Sequence, residues 1–217
     1  MNQLHDPATE YQSVAPFYDL LIAPLLLPEY RQAGALARQI GARTVVDLCC
    51  GTGALARHMG KQGFQVTGVD LSPSMLRQAR DKNSAGMTFI LADAAWTGLP
   101  AHHFDLAVIS MALHEKPALL RDQILTEAKH LITPDGHILL MDYAIPLKIS
   151  GRIMHHLAAI IERMAGKEHH AHYRSYLHSG GLDHLIRHNN LHIQSQTSFH
   201  HGLIQVCLTR ISNGSHT

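Results

Sequence analysis

The stretch "VVDLCCGTGALARHMG", residues 45–60, constrains the fold more than any other part of the chain. An apolar run ends at Asp47, passes two cysteines and enters a turn that contains Gly51 and Gly53, and helix-forming residues follow at once. Glycines let the backbone approach a ligand closely, and the first N–H groups of a helix are unpaired donors. The stretch therefore predicts a ligand site at the carboxyl end of a strand in an open α/β sheet.

Short apolar runs alternate with helical stretches from residue 44 onward. The runs predict strands at Thr44–Leu48, Gln65–Asp70, Met87–Leu91, Leu106–Ser110 and His137–Tyr143. The stretches between them predict helices at Ala54–Gln62, Ser72–Asn83 and Ala118–Leu131. Continuous apolar strands separated by helices indicate a mostly parallel sheet that is covered on both faces.

The tail departs from this alternation. Two β-rich segments, 191–200 and 203–211, are separated only by His201-Gly202, which is the spacing of an antiparallel hairpin. We therefore expect a Rossmann-like three-layer α/β sandwich, whose seven-stranded, mostly parallel sheet has an antiparallel C-terminal strand and its reversed strand at the edge. Between the fifth strand and the hairpin we expect a helix at 150–166, a histidine-rich connector and a short helix at 182–189.

Length and composition limit the classes of protein. The 217 residues, 46% of them apolar, suit one domain with a substantial core, and a net charge of +1 makes no electrostatic case for nucleic acid. Residues 20–30 are apolar but too short and too interrupted by proline to span a bilayer, so we expect no stable membrane insertion. The N-terminus does not resemble a secretory signal, and three cysteines make no disulfide framework. These features indicate a cytoplasmic chain with reduced thiols, and they leave the oligomeric state open.

The glycine turn admits more than one ligand. "GTGALA" fits the loose dinucleotide pattern, with Asp70 at about the expected spacing of ~20 residues, so an NAD-dependent oxidoreductase is an alternative. Against it, Asp47 would repel a pyrophosphate but would suit a ligand that carries a cationic amino group. A P-loop is excluded because no Gly-Lys-Ser/Thr follows the turn. The turn therefore favours a nucleoside without a pyrophosphate.

Several motifs in order resemble one known family. They are "YQSVAPFYDLL", "VVDLCCGTGALA", "VTGVDLSPSML", "FILADAAWTGLP", "FDLAVISMALHE" and "LITPDGHILLMDY". In them the chain resembles the class I S-adenosylmethionine-dependent methyltransferases, closest to the type 11 group that includes the ubiquinone and menaquinone biosynthesis enzymes. The resemblance is close over 11–145 and weak over 182–211. It implies transfer of a methyl group from S-adenosylmethionine to a small molecule. It also divides a single domain, 1–217, into an N-terminal helical cap (1–43), a cofactor-binding core (44–145), a substrate-capping insert (146–190) and a hairpin (191–211).

The resemblance also implies which residues contact the cofactor. They are Tyr18, with Tyr11 beside it, Asp47, Cys49, Gly51, Gly53, Asp70, Leu71, Met75, Asp93, Ala94 and Ser110. In this assignment Asp47 and the backbone of the turn bind the methionine part, and Asp70 binds the ribose hydroxyls. Asp93 and the backbone of Ala94 would bind the adenine, while nearby Trp96 is expected in the core. Cys49 stands where the family often has the first glycine of the turn.

Methyl transfer is an in-line displacement on carbon, so the enzyme mainly aligns the reactants and excludes water. A general base helps when the acceptor must lose a proton. His114, oriented by Glu115, is the first candidate for a catalytic and substrate-contacting residue, and Tyr143 is the second. The simpler alternative is that His114 only covers the pocket.

The histidines are concentrated in the C-terminal third, where 12 of the 19 lie from His155 onward. In the segment 166–181 we expect His169, Tyr173 and Arg174 to contact the substrate. Glu168, His169, His170 and His172 offer metal-ligand chemistry, but isolated histidines throughout the tail favour solvated side chains, and we predict no metal. The apolar segment 20–30 hints at a quinone- or lipid-like acceptor. A metal- or metalloid-handling methyltransferase and a cofactor-binding regulator without turnover remain alternatives.

Overall fold

A computed structural model describes residues 23–82, 86–145 and 167–212. Seven strands in these ranges form one sheet in the order β3-β2-β1-β4-β5-β7-β6. The strands are β1 (Thr44–Leu48), β2 (Gln65–Asp70), β3 (Met87–Leu91), β4 (Phe104–Ser110), β5 (Ile132–Tyr143), β6 (Leu191–Phe199) and β7 (Ile204–Ile211). The pairs among β1 to β5 are parallel, which confirms the predicted α/β fold class.

The reversed strand does not lie at the edge, so that part of the prediction was wrong. β7 runs antiparallel to β5 on one side and to β6 on the other, and β6 is the edge strand. The apolar content of the two strands explains this order. β7 is buried along most of its length, whereas every second residue of β6 from His192 to Ser198 is exposed. The more apolar strand therefore takes the interior position, where both of its faces are covered.

Helices flank the strands in the described ranges. They are α1 (Leu27–Gln39), α2 (Ala54–Gly60), α3 (Pro73–Asp81), α4 (Ala118–Leu131), α5 (Lys167–Ser179) and α6 (Gly181–His188). The side chain of Ser72 accepts a hydrogen bond from the Met75 N–H over 3.4 Å, as expected of the cap of α3. The predicted histidine-rich connector is instead mostly the helix α5, because Tyr173 and Tyr176, three residues apart, are both buried and anchor one helical face. The predicted helix at 150–166 lies outside the described residues.

Two strands begin earlier than the sequence indicated. β4 begins at Phe104 and β5 at Ile132, so that "TPDG" (133–136), a turn-like tetrapeptide, lies inside a strand. The register shows how the sheet accommodates it. Phe104 pairs with Ile132, and the pairing then shifts so that Leu106 stands opposite His137. The tetrapeptide thus forms an irregularity within β5 rather than a separate loop.

The core consists of side chains from the central strands and the helix faces packed on them. Val45, Val108 and Leu139, on β1, β4 and β5, are fully buried. Trp96, expected in the core, is 82% exposed, and that prediction was wrong. It stands in a tight turn closed by the Trp96 N–H, which donates to the Asp93 carbonyl over 3.0 Å and leaves the ring outside. None of the helices in the described part of the chain is long and apolar enough to cross a membrane.

Candidate active site

The glycine turn between β1 and α2 adopts left-handed backbone at Cys49 (φ 61°), Gly51 (φ 54°) and Gly53 (φ 73°). At Gly53 a Cβ would stand 2.8 Å from the Phe89 ring, so both the conformation and the space require glycine. At Gly51 a Cβ would meet no atom within 4 Å, so this glycine lies against open space. Cys49 has a conformation that favours glycine, which is a physical reason for the glycine that the family often has there.

Asp47 is the buried carboxyl group of this turn, with 2% of its surface exposed. Its Oδ2 atom has no hydrogen-bond partner among the described residues. Burial, together with the negative charge of Asp70, raises the pKa of Asp47 to about 7, and a backbone hydrogen bond from Ala56 opposes the shift. A buried acceptor without a donor is costly, so the site is suited to a ligand that brings a cationic donor.

Asp70, the last residue of β2, is held by two backbone donors. The Gly51 N–H donates to Oδ2 over 2.7 Å, and the Ser72 N–H donates to Oδ1 over 2.8 Å. Burial raises the pKa of Asp70, and these two hydrogen bonds oppose the rise. Each carboxylate oxygen can accept more than one hydrogen bond, so Asp70 retains capacity for ligand hydroxyls.

The remaining residues assigned to the cofactor lie at strand ends or just after them. Leu71 is 56% exposed and Met75 is buried, while Asp93 is exposed and accepts a hydrogen bond from the Ala95 N–H over 2.9 Å. Ala94 is buried. Ser110, at the end of β4, donates to Met141 Sδ over 3.2 Å. Tyr11 and Tyr18 lie outside the described residues.

The two cysteines are half-buried thiols without a disulfide. Burial raises the pKa of Cys49 to about 12, and it raises the pKa of Cys50 well above its usual value. Both side chains therefore stay protonated near neutral pH. A protonated thiol is a poor nucleophile, so packing is the role that fits.

His114 and Asp142 form a buried pair at the carboxyl ends of β4 and β5. His114 Nδ1 donates to Asp142 Oδ1 over 2.7 Å, and both residues are nearly inaccessible to solvent. The same carboxylate accepts the backbone N–H groups of Leu113, at 2.9 Å, and His114, at 3.2 Å. With Nδ1 protonated in this way, the basic lone pair of the imidazole is on Nε2, which is the arrangement of an oriented general base.

Aromatic rings surround this histidine. The ring centroids of Tyr143 and Tyr173 lie 4.7 and 6.1 Å from that of His114, and Tyr143 and Tyr173 contact each other edge-to-face at 5.1 Å. Tyr176 lies 6.5 Å from His114. Helix α5 thus brings two tyrosines against His114, which lies far from them in the sequence. The ring of His114 therefore lies among aromatic side chains.

Charged residues lie between the glycine turn and the short turn Leu113–Glu115 that carries His114, here called the histidine turn. Lys116 Nζ lies 2.7 Å from Glu115 Oε1, and His169 Nδ1 of α5 lies 3.5 Å from Glu115 Oε2. Lys116 holds the pKa of Glu115 well below its usual value, with a further contribution from His169. The charge of Lys116 lowers the pKa values of Cys49 and Asp70, and the charge of Glu115 raises them. The histidine turn therefore borders the proposed cofactor site.

The structure brings together His114, Tyr143, His169 and Tyr173 of the predicted substrate contacts, whereas Arg174 is exposed on α5 and has no described contact with this cluster. Sequence reasoning missed Asp142, Arg121 and Tyr176 as members of it. A carboxylate directly after the apolar run "ILLM" was a signal for Asp142. Arg121 had no comparable signal, because an arginine near the start of a helix is usually solvated.

No metal centre emerges from the described residues, which contain no group of three or more histidine, cysteine or acidic side chains arranged to bind an ion. Two open depressions lie on the surface of the described residues. One, of about 320 Å³, is lined by residues of β6 and β7 such as His192 and Arg210. The other, of about 200 Å³, lies between α1 and α2, beside Tyr30 and His58.

The sheet order, the glycine turn and the carboxylates in the last residues of β1 and β2 define a Rossmann-like domain that can bind a nucleoside at its strand ends. Residues 45–136 match the family described as a methyltransferase domain. This confirms the family predicted from the motifs.

Two curated relatives are similar over much of the chain. Malonyl-[acyl-carrier protein] O-methyltransferase of Salmonella typhimurium is 31% identical over 144 residues, which are 66% of this chain and 53% of that protein. Demethylmenaquinone methyltransferase of Thermus thermophilus is 30% identical over 147 residues, which are 64% of this chain and 66% of that protein. The chain thus spans between half and two thirds of the length of these relatives.

A solved structure shows the same fold. It is the 1,6-didemethyltoxoflavin-N1-methyltransferase of Burkholderia thailandensis, with bound 1,6-didemethyltoxoflavin and S-adenosylhomocysteine. The TM-score is 0.64, the sequence identity is 18%, and the match covers 98% of this chain and 92% of that one.

Proposed function

We propose that this chain binds S-adenosylmethionine and transfers its methyl group to a small-molecule acceptor. The observation that carries the proposal is Asp47, a buried carboxyl group in the strand that leads into the glycine turn, with one oxygen that has no hydrogen-bond partner among the described residues. A cationic amino group would satisfy that oxygen and favour its ionised form, whereas a pyrophosphate would be repelled. The methyltransferase domain match over residues 45–136 supports the same conclusion.

The residues present fit this cofactor. Asp47 and the backbone of the turn would bind its amino acid part, and Asp70, held by Gly51 and Ser72, would accept the ribose hydroxyls. When bound, the cofactor would supply an electrophilic methyl group, and the acceptor would bond to the methyl carbon in line with the breaking C–S bond, with S-adenosylhomocysteine as the leaving group. The adenine would be surrounded by Leu71, Met75, Asp93 and Ala94, as the resemblance implies.

The His114–Asp142 pair extends the proposal to the acceptor. Asp142 holds His114 Nδ1–H, so that Nε2 can take a proton from an acceptor hydroxyl or a comparably acidic group. The tyrosines around the histidine favour an aromatic or apolar acceptor over a charged one. A quinone-like phenol fits this chemistry, and one relative is named as a demethylmenaquinone methyltransferase.

The first test is calorimetric titration of S-adenosylmethionine and S-adenosylhomocysteine into the wild type and Asp70→Ala, with NAD as the competing ligand. We expect micromolar binding of the two sulfur nucleosides to the wild type, weakened about tenfold or more in Asp70→Ala, because hydrogen bonds to a charged group contribute about 1.5–3 kcal/mol. Asp81→Ala, which removes an exposed carboxylate at the end of α3, is the matched control and should bind normally. Binding of NAD in place of the sulfur nucleosides would establish the oxidoreductase alternative.

A second test addresses the base. With reduced menadione and simple phenols as acceptor probes, formation of S-adenosylhomocysteine should fall by roughly 10²–10⁴-fold in His114→Asn, the usual range for loss of a general base. Cofactor affinity should be unchanged in that variant. Cofactor binding without turnover on any probe would favour the regulator alternative, and full turnover in His114→Asn would remove the base from the proposal.

A further inference from the structure

Arg121 lies in the first turn of α4 with only 1% of its surface exposed, and it is among the largest fully buried side chains in the described residues. Its guanidinium reaches two different elements. Nε donates to the carbonyl of Leu113 over 2.9 Å, and Nη2 donates to the carbonyl of His172 over 2.9 Å. One planar group therefore ties the turn that carries His114 to helix α5.

The same guanidinium packs on α5 through its face. Its Cζ atom lies 5.1 Å from the centroid of the Tyr176 ring, within the range of a cation–π contact. The Tyr176 hydroxyl donates to the carbonyl of Tyr143 over 2.7 Å, so α5 is also tied to the end of β5. The contacts of Arg121 and Tyr176 thus connect α5 with both strand ends that supply the His114–Asp142 pair.

The burial of Arg121 calls for an explanation. Among the described residues it forms no ion pair with a carboxylate, and burial lowers its pKa, although Tyr176 and Asp142 oppose that shift. A buried charge without an ionic partner is costly, and an apolar side chain of similar size would pack at lower cost. What an apolar side chain could not do is donate to two carbonyl groups in fixed directions, which is the particular property of a guanidinium.

We propose that Arg121 is a positioning residue that couples the docking of α5 to the orientation of His114. The inference rests on the proposed function, in which His114 is the base and the tyrosines around it border the acceptor. Loss of the fork would leave the Leu113 and His172 carbonyls without their common donor. The turn and the helix would then move independently, and the Asp142–His114 hydrogen bond would weaken.

The test compares Arg121→Lys, which keeps the charge but cannot present a planar fork, with Arg187→Lys. Arg187 is exposed on α6, and its guanidinium donates among the described residues only to the Asp183 carbonyl of its own helix, so its replacement is the matched control. Hydrogen exchange reports the docking of α5, and a low-field proton resonance of His114 Nδ1–H, assigned by its absence in His114→Asn, reports the oriented base. Both measurements use the ligand-free protein and need no acceptor.

In Arg121→Lys we expect exchange in residues 169–179 to accelerate about tenfold or more, the signature of local opening, while β1 and β4 keep their protection. The His114 resonance should broaden or vanish, and the affinity for S-adenosylhomocysteine should stay within about twofold, because no cofactor residue is touched. Unchanged exchange in α5 with an unchanged resonance would overturn the proposal, and so would an equal loss of protection throughout the sheet, which would show a purely structural role.

Two further variants keep the outcome decisive. If Arg121→Lys does not fold, Arg121→Met removes both donors without leaving a buried charge, and it should loosen α5 in the same assay. Wild-type protection of α5 in that variant would overturn the coupling. His114→Asn separates this proposal from the proposed function. Turnover that survives in His114→Asn would show that His114 is not the base. The coupling of α5 to the histidine turn is tested separately, by hydrogen exchange and by the His114 resonance.

Discussion

At the scale of the residue, the environment of each side chain decides its chemistry. Asp47 and Asp70 end neighbouring parallel strands, yet Asp70 accepts two backbone hydrogen bonds while Asp47 retains an oxygen without a partner. His114 contacts the carboxylate of Asp142, and His169 contacts that of Glu115. Of these two pairs, the His114–Asp142 pair is the more deeply buried, and backbone N–H groups also donate to its carboxylate. The same residue types therefore have different roles, which a residue count cannot reveal.

The pH dependence of cofactor binding follows from Asp47. Its pKa is about 7 in the folded protein, above its ordinary value of 3.8, so the ligand-free protein binds this proton more tightly than the unfolded chain and loses stability as pH rises across that window. A bound ammonium favours the ionised carboxylate. Affinity for S-adenosylhomocysteine should therefore rise roughly tenfold from about pH 6 to about pH 8, measured by calorimetry.

Asp47→Asn removes this titration and serves as the diagnostic variant. We expect its affinity to be weak and flat across the same pH range, because the amide cannot ionise, whereas Asp81→Asn should follow the wild type. A wild-type pH profile in Asp47→Asn would show that another group binds the ligand's amino group.

At the scale of the element, the junction of β1 and α2 depends on its backbone conformation. Gly51 and Gly53 share a left-handed conformation, but they differ in what surrounds them. A Cβ at Gly53 meets Phe89 of β3 and Ala79 of α3, whereas a Cβ at Gly51 meets open space. Gly53 is therefore required for the packing of α2 on the sheet, and Gly51 keeps the ligand side of the turn clear.

This difference predicts two distinct outcomes. Gly53→Ala should lower the free energy of unfolding by about 2–4 kcal/mol, from backbone strain plus overpacking. Gly51→Ala should lower it by only about 1 kcal/mol, from strain alone, but should weaken cofactor binding. Urea denaturation followed by circular dichroism measures the free energy of unfolding of both variants, and calorimetry measures cofactor binding. Equal losses of stability in the two variants would contradict the role given to Phe89.

Contacts between distant elements hold the helical layers on the sheet. Glu29 of α1 is fully buried and lies 2.8 Å from His200 Nε2 in the β6–β7 turn, and Gln32 donates to Thr197 of β6 over 3.3 Å. Burial raises the pKa of Glu29, and a backbone hydrogen bond and His200 oppose the rise. Helix α1 is thereby attached to the far end of the chain.

At the scale of the whole molecule, parallel strands bring both halves of the proposed site to one edge of the sheet. Asp47 and Asp70 lie toward the carboxyl ends of β1 and β2, and His114 and Asp142 lie at the ends of β4 and β5. Helix α5 follows β5 in the chain and packs back against this edge. The cofactor half and the acceptor half are therefore neighbours within one sheet.

Ligand binding should stabilise the whole sheet. At a concentration of S-adenosylhomocysteine about 100 times its Kd, the folded state gains about 2.7 kcal/mol, which for a chain of this size corresponds to a rise in Tm of roughly 5–10 °C. Differential scanning fluorimetry measures the shift, which should be absent with NAD and much reduced in Asp70→Ala. A shift with NAD alone would contradict the cofactor proposal.

The sequence by itself determined most of the strands and helices in the first two thirds of the chain, and it placed two carboxylates toward strand ends. Apolar runs with helical stretches between them, and the turn at Gly51 and Gly53, are local patterns, so β1 to β3, α4 and the placing of Asp47 and Asp70 at strand ends could be predicted. Only the tertiary structure decided the rest. The interior position of β7, the helix in place of a connector at 167–179 and the exposure of Trp96 depend on which surfaces become buried. The contacts of His114 with Asp142 and of Arg121 with His172 join residues 28 and 51 positions apart. Packing sets such contacts, and no local periodicity records them.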